Sequence, residues 1–462
     1  MQDANHLRKV ASDCVHCGFC LPVCPTYQLW AEEMDSPRGR IYLVNQLLDG
    51  AELTPAAAEH FDRCLGCMAC MTACPSGVQY DQLIEAARAW TEEARPALPA
   101  TPDAPAGKQR LRDRAVRAAI FALFPYPRRL RAATLPLRAA QRTGLDRRLA
   151  RSSLPGRLSP ALGAAMRLGA SGAGRLGGSG AGRLTPAAGA AGRLGGSAAG
   201  RLPERVPARG PRRAVVGMLS GCVQSVFFPQ VNEATARVLA MEGCDVIIPR
   251  DQGCCGALSL HSGREAEAAA FARRTIEAFE QAGVDTVVVN SAGCGSAMKE
   301  YERLLDGSDW AARAAALSTR VRDFSEFLAE LGPVAPRHPL PVVAAYHDAC
   351  HLGHAQRITR QPRELLQSIP DLRLLELADA GTCCGSAGIY NLLQPEAAGE
   401  LGARKAQAVL DAGAPLLISA NPGCSLQIAA ALADRGEHIT VAHVAEILDA
   451  SLRGVAPPAA PG

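Results

Sequence analysis

Aromatic side chains make up only 4% of this 462-residue chain, too few for the stacking platforms that hold single-stranded nucleic acid, so no nucleic-acid partner is expected. No run of about 18 uninterrupted apolar residues occurs, which argues against a transmembrane helix. The opening MQDANHLRKVASD has neither the apolar run of a signal peptide nor a twin-arginine pair, and a cytoplasmic location is expected. A nucleotide fingerprint is also missing. The lone GxGxxG, at residues 172–177, follows no strand-like run and is a by-product of an Ala/Gly/Arg repeat. Neither a flavin nor a nicotinamide site is therefore expected in this chain.

What the chain has in excess is cysteine, seventeen in all. Eight lie near the N-terminus in two copies of one spacing, Cys14, Cys17, Cys20, Cys24-Pro25 and Cys64, Cys67, Cys70, Cys74-Pro75. Each copy reads C-x2-C-x2-C-x3-C-P, the run that wraps a cubane 4Fe–4S cluster. The two-residue gaps bring three thiolates to three corners of one small cube, and the fourth cysteine serves the neighbouring cluster in two-cluster proteins. Cys14, Cys17, Cys20 and Cys74 are therefore assigned to one cluster, and Cys64, Cys67, Cys70 and Cys24 to the other. Gly18 and Gly66 sit inside the loops, where glycine permits positive φ. Structural zinc favours C-x2-C pairs separated by a longer stretch, and disulfides need an oxidising compartment; neither accounts for this spacing.

Residues 1–95 read as helices around cysteine loops. Ser36-Pro37 and Thr54-Pro55 are N-cap and first-turn pairs, Gly50 is a stop, and a longer helix opening at Ser76 or Asp81 runs through Trp90 to Pro96. No period-2 strand is visible. Residues 96–213 are different: 23 Lys+Arg against 4 Asp+Glu. With a whole-chain charge of +4, the remainder carries about −15. Residues 108–124 form a basic amphipathic stretch suited either to a membrane surface or to packing on the cluster domain. Residues 151–201 are low-complexity Ala/Gly/Arg sequence, expected to be a disordered linker because so little of it can be buried.

Residues 214–462 carry a second constellation. Cys222, Cys254-Cys255 and Cys294 recur as Cys350, Cys383-Cys384 and Cys424, at offsets of 128, 129, 129 and 130. A four-member set repeated at nearly constant spacing is a duplication, divided here into residues 214–335 and 336–462. In each half, apolar runs such as AVVGMLSGC ending at Cys222 and APLLISANPGC ending at Cys424 read as buried strands that end at a cysteine. Helical segments at 264–281 and 396–410 lie between them. This is βαβ-type sequence, whose ligands gather beyond the carboxyl ends of parallel strands. Gly253, Gly256, Gly381 and Gly385 flank the paired cysteines and suggest close backbone approach. The eight thiols fit a further iron–sulfur cluster, a redox disulfide or zinc. His347, His351 and His354 surround Cys350 and are candidate nitrogen ligands.

The order of these parts, with YHDACHLGHAQRITRQPRELL (346–366) and CCGSAGIYNLLQPEAA (383–398), resembles the iron–sulfur subunit of glycolate oxidase. Its relatives include the anaerobic glycerol-3-phosphate dehydrogenase C subunit, the lactate-utilisation iron–sulfur protein and heterodisulfide reductase subunits. The resemblance covers about 1–95 and 214–450 and leaves the linker outside. It implies a multidomain protein, an α-helical two-cluster ferredoxin domain followed by two α/β CCG cysteine-rich repeats. It also implies partners, FAD-containing subunits that oxidise glycolate to glyoxylate, and a membrane quinone as acceptor, with the chain peripheral on the cytoplasmic face of the inner membrane. The implied enzyme is the whole complex. Substrate alternatives are lactate and glycerol 3-phosphate; thiol–disulfide catalysis is a further one. Ser291 and Asn421 depart from the heterodisulfide-reductase pattern, which has cysteine at those positions, so each repeat is left with four cysteines and one metal site.

Overall fold

The computed structural model describes residues 4–98, 107–136 and 202–458. The low-complexity linker at 151–201 and the glycine pattern at 172–177 lie outside the described residues.

The N-terminal module is helical, with no strand among its described residues. Its helices are α1 (Ala4–Ser12), α2 (Pro25–Trp30), α3 (Pro37–Leu48), α4 (Pro55–Arg63), α5 (Ala69–Ala73) and α6 (Tyr80–Ala94). Ser36 and Thr54 cap as their sequence context predicts, accepting from Gly39 N–H at 3.0 Å and Ala57 N–H at 3.2 Å, and the prolines follow at the first helical position. The start of α6 differs from expectation: it is preceded by Gln79, without a side-chain cap. Burial of Tyr80 in the module's core places the start there, and Asp81 becomes a first-turn acid. Leu7, Ile41, Val44, Phe61, Leu83 and Ile84 form the core.

The basic segment contains two further helices, α7 (Gly107–Leu123) and α8 (Pro127–Ala133). The described large apolar residues near the end of α7 do not face solvent. Ile120 and Phe121 are buried against Ile389, Leu258 and Leu392, and Arg117 pairs with Glu92 of α6 at 2.6 Å. Leu130 of α8 packs on Val226.

Each C-terminal repeat is an α/β unit. In the first, β1 (Arg205–Val206), β2 (Ala214–Met218), β3 (Cys244–Ile247), β4 (Thr286–Val289) and β5 (Val321–Asp323) lie in the order β1-β3-β2-β4-β5. Every pairing is parallel except that of β1 with β3. The second has β6 (Val342–His347), β7 (Leu372–Glu376), β8 (Leu416–Ser419) and β9 (Thr440–His443) in the all-parallel order β7-β6-β8-β9. Strands such as LLIS in β8 are buried along their whole length, as expected when helices cover both faces of a parallel sheet. The chain reverses its winding between β2 and β4 in the first sheet and between β6 and β8 in the second, which is where doubly wound sheets open a ligand crevice.

The repeats share one core. Val238, Leu239, Tyr346 and Leu448 belong to a single buried cluster, and Arg237 bridges to Asp449 at 2.8 Å. His443 joins the repeats at Asn290 O, 2.9 Å away.

Candidate metal centres

The two N-terminal cysteine loops are wound alike. Positive φ occurs two and four residues after the first cysteine in each: His16 (54°) and Gly18 (87°), then Gly66 (63°) and Met68 (61°). Such left-handed residues turn successive N–H groups inward into a nest suited to anionic sulfur. A Cβ on Gly18 or Gly66 would meet the guanidinium of Arg38 or Arg88 at 3.0 Å. The backbone thus repeats its path around each motif.

The first loop and the end of the second line one cavity, where Cys14, Cys17, Cys20 and Cys74 meet, with Cys70 also on its wall. Burial pushes the Cys20 thiol up to about 11. The other set is deeper: Cys24, Cys64, Cys67 and Cys70 are all buried. Burial, and then neighbouring cysteines, push Cys67 and Cys70 well above the ordinary thiol range. Cys64 goes the other way. Burial raises it, but the guanidiniums of Arg40 and Arg88 outweigh burial and hold it below its usual value.

Arg40 is the centre of a buried cage. Its side chain, 1% exposed, donates to His60 O at 2.6 Å, Thr26 Oγ1 at 3.1 Å and Asp35 Oδ1 at 3.2 Å. Asp35 is held in turn by Arg63 at 2.9 Å and His60 at 2.9 Å. Cys24 Sγ sits 3.2 Å from Thr26 Oγ1. This donor set fits an iron–sulfur group: thiols that cannot ionise alone in a dry interior surround fixed positive charge and inward N–H groups.

In the repeats the cysteines gather beyond the carboxyl ends of the parallel strands. They are not, however, the last residues of those strands. Cys222 and Cys350 begin the helical turns after β2 and β6, while Cys294 and Cys424 lie in the first turns of the helices Ala292–Lys299 and Pro422–Asp434. The reason is that β2 and β4 end at Met218 and Val289, and the chain has already turned off the sheet. Cys222 Sγ lies 3.5 Å from Cys254 Sγ, and Cys255 neighbours Cys294. In the second repeat Cys350 contacts Cys383, and Cys384 contacts Cys424. Two of the flanking glycines do permit the close backbone approach expected of them. Gly256 and Gly385 take positive φ, and a Cβ on them would meet Ala268 O at 3.0 Å and Ala398 O at 2.8 Å. Those close approaches are to the following helices.

The three histidines separate. His354 is occupied, by Thr72 Oγ1 at 3.0 Å and Gly381 O at 2.8 Å. His351 Nδ1 lies 3.6 Å from Cys350 Sγ. His347, Cys384 and Cys424 place their ligating atoms within 4.8 Å of one another. Cys244, not among the expected site residues, is a core residue of β3 whose thiol burial pushes up to about 12.

A 4Fe–4S dicluster domain model matches residues 10–78, and a cysteine-rich domain model matches 216–299 and 344–429. A model of the glycolate oxidase iron–sulfur subunit linker region matches 112–168. The chain is 35% identical over 444 residues to the probable glycolate oxidase iron–sulfur subunit of Bacillus subtilis (strain 168), covering 94% of this chain and 93% of that protein. Identity to the glycolate oxidase iron–sulfur subunit of Escherichia coli (strain K12) is 33% over 450 residues, covering 95% and 93%. The chain belongs to the glycolate oxidase iron–sulfur subunit family. A lactate utilization protein A of Exiguobacterium is 31% identical over 240 residues, 52% of this chain and 98% of that one. The linker match corrects the expectation that the family resemblance stops at both edges of the basic middle.

In this family member the cluster module docks on both repeats. Towards the first, Arg303 reaches Glu85 at 2.8 Å and Asp81 at 3.5 Å, and Arg88 donates to His261 O at 2.9 Å. The contact is tight enough that a Cβ on Gly263 would lie 2.2 Å from Arg88 O. Burial raises the Glu85 carboxyl, but Arg303 outweighs it and holds it low. Burial pushes Glu300 up, with Glu85 adding to it. Towards the second repeat, Leu65, Cys67 and Ala69 share one apolar cluster with Cys383, Tyr390 and Leu401. Sequence reasoning missed the Arg40 cage. Its one visible signal was an arginine on the apolar side of α3, among Pro37, Ile41 and Val44.

Proposed function

We propose that this chain is the electron-transferring iron–sulfur subunit of a glycolate-oxidising complex, acting between FAD-containing subunits that convert glycolate to glyoxylate and a membrane quinone. Cys14, Cys17, Cys20 and Cys74 would hold one 4Fe–4S cluster; Cys64, Cys67, Cys70 and Cys24 would hold the other. Such clusters supply one-electron storage at a potential set by charge, hydrogen bonds and burial. The chain's own residues supply those three factors: Arg40 and Arg88 the positive charge, the wound loops the N–H groups, and the packing around Cys67 the exclusion of water.

The observation that carries the reading is the continuity of the thiol sets. The first set is open, with Cys17 exposed and Val15 and Phe19 beside it 68% and 64% exposed. Exposed apolar side chains of that size suit a protein partner. The second set is buried, and its Cys67 shares one apolar cluster with Cys383 and Cys350 of the second repeat. The order is therefore outer set, inner set, repeat. A relative named for glycolate oxidase along almost the whole chain points to glycolate as the substrate of the complex.

The absence of a nucleotide fingerprint leads to the test. The purified chain alone should not reduce dye with glycolate, and adding the flavoprotein that co-purifies with a tagged chain should restore dye reduction. Glycolate should outperform lactate and glycerol 3-phosphate in that mixture. Dye reduction by the isolated chain, or preference for another of these substrates, contradicts the proposal.

A further inference from the structure

We propose that His347 supplies a nitrogen ligand, beside the thiolates of Cys384 and Cys424, to a single thiophilic divalent cation in the second repeat. The matching position of the first repeat holds Leu219, so the duplication has produced two chemically different halves. The proposal deepens the reading of the repeats as metal-binding but does not depend on glycolate as substrate.

His347 is the last residue of β6, at the carboxyl end where the crevice opens, and it is 1% exposed. Neither of its ring nitrogens has a hydrogen-bond partner of good geometry among the described residues, and the polar group it acts on is the neighbouring Cys384 thiol. His261 and His351 each leave only Nε2 without a partner, whereas two other histidines are fully engaged. His443 accepts from Ala445 N–H and contacts Asn290 O, and His354 uses both nitrogens. An imidazole without well-formed hydrogen bonds in a dry interior is costly, and a cation held jointly by its nitrogen and the two thiols beside it would remove that cost.

The spacing speaks for one ion. Ligand atoms bonded to a single tetrahedral ion at about 2.0–2.3 Å lie roughly 4 Å apart. The ligating atoms of His347, Cys384 and Cys424 are within 4.8 Å of one another, and no other trio of His, Cys, Asp or Glu among the described residues is recorded as that compact. Mixed imidazole and thiolate ligation suits zinc or its spectroscopic stand-in cobalt.

The repeat comparison adds a second observation. Applying the 128-residue offset of Cys222 and Cys350 places Leu219 where His347 stands, and the 130-residue offset of Cys294 and Cys424 places Val289 where Ser419 stands. Both first-repeat residues are buried in the apolar core. Ser419 pairs in register with His347, and its buried Oγ also lacks a partner. Two adjacent polar residues thus replace two apolar ones on one crevice wall. Ligating histidines commonly give their second nitrogen to such a neighbour.

The experiment adds cobalt(II) anaerobically to the full iron-loaded chain and reads bound cobalt, the thiolate-to-cobalt charge-transfer band and the metal-edge X-ray absorption. Wild type should bind one cobalt with mixed nitrogen and sulfur ligands. His347→Leu, the residue the first repeat uses, should weaken binding by at least about tenfold. His347→Cys should bind cobalt with an all-sulfur spectrum, and His354→Ala should match wild type. Iron content, and glycolate-dependent dye reduction after adding the co-purifying flavoprotein, are followed in parallel, so loss of the electron-transfer reading shows separately. The proposal is overturned if wild type binds no cobalt because an iron–sulfur cluster fills the crevice, if its cobalt spectrum lacks nitrogen, or if His347→Leu changes neither affinity nor spectrum.

Discussion

Ser291 Oγ and Asn421 Oδ1 lie 3.4 Å apart, although 130 residues separate them in the chain. They occupy equivalent positions of the two repeats, so the duplication folds back to bring them together where the cores fuse. Asn421 also accepts from Gly293 N–H at 3.4 Å and donates to Cys424 Sγ at 3.4 Å. The positions where heterodisulfide-type sequences carry cysteine are here polar contacts across the repeat interface. Asn421→Leu should leave the Gly293 amide and Ser291 hydroxyl unpartnered and cost about 1–2 kcal/mol. Urea unfolding checks this, together with faster hydrogen exchange at residues 291–293.

Arg40 is the second test. Its removal leaves Asp35, 0% exposed, without one of its two arginine partners. Arg40→Leu should destabilise the module by about 3–5 kcal/mol, the usual penalty for breaking a buried pair from one side. It also removes the charge that favours the Cys64 thiolate. Iron bound to the inner thiol set should fall while the outer set keeps its signal, which iron analysis and low-temperature electron paramagnetic resonance distinguish.

His443 predicts a pH dependence. Burial pushes its imidazole down to about 4, with only the Asn290 carbonyl opposing. The hydrogen bonds require the neutral ring: Nδ1 accepts from Ala445 N–H, leaving Nε2–H for Asn290 O. A depressed folded pKa means that its stabilisation is complete above about 6.5, the unfolded value, and is lost as pH falls towards 4. Between pH 6.5 and 5 wild type should lose about 1–2 kcal/mol more than His443→Asn. Denaturation of the two proteins at both pH values measures that difference; equal losses would contradict it.

Much of the site was legible in the sequence, and the limits have physical causes. Cysteine spacing and duplication are local or arithmetic properties, so the two motifs and the two repeats could be read directly. Helix caps at Ser36 and Thr54 were equally visible because capping acts within one turn. The Arg303–Glu85 docking contact and the burial of Arg40 could not be read, since surface and interior charges look alike until the helices pack. The basic amphipathic stretch at 108–124 left two readings open, and packing decides for its apolar face: Phe121 is buried with Arg264 stacked 4.3 Å from its ring.

That occupied face narrows what membrane contact can be. No described helix is long and apolar enough to cross a membrane, and Ile120 and Phe121 of α7 are engaged inside the protein. Any attachment to anionic lipid should rest on the Lys/Arg surplus, worth about 1 kcal/mol for each residue near the surface. Co-sedimentation with phosphatidylserine-rich vesicles should occur at low salt and vanish near 1 M, where screening acts within about 3 Å. Sedimentation unaffected by salt, or none at low salt, would contradict this.

The central claim is tested most directly by counting iron and acid-labile sulfide in the full chain after anaerobic reconstitution, with Cys67→Ser alongside. Two 4Fe–4S sets predict about eight irons in the N-terminal module, falling to about four with one cluster signal lost in the variant. A colourless wild-type chain without iron, or a variant that keeps both signals, would contradict the account.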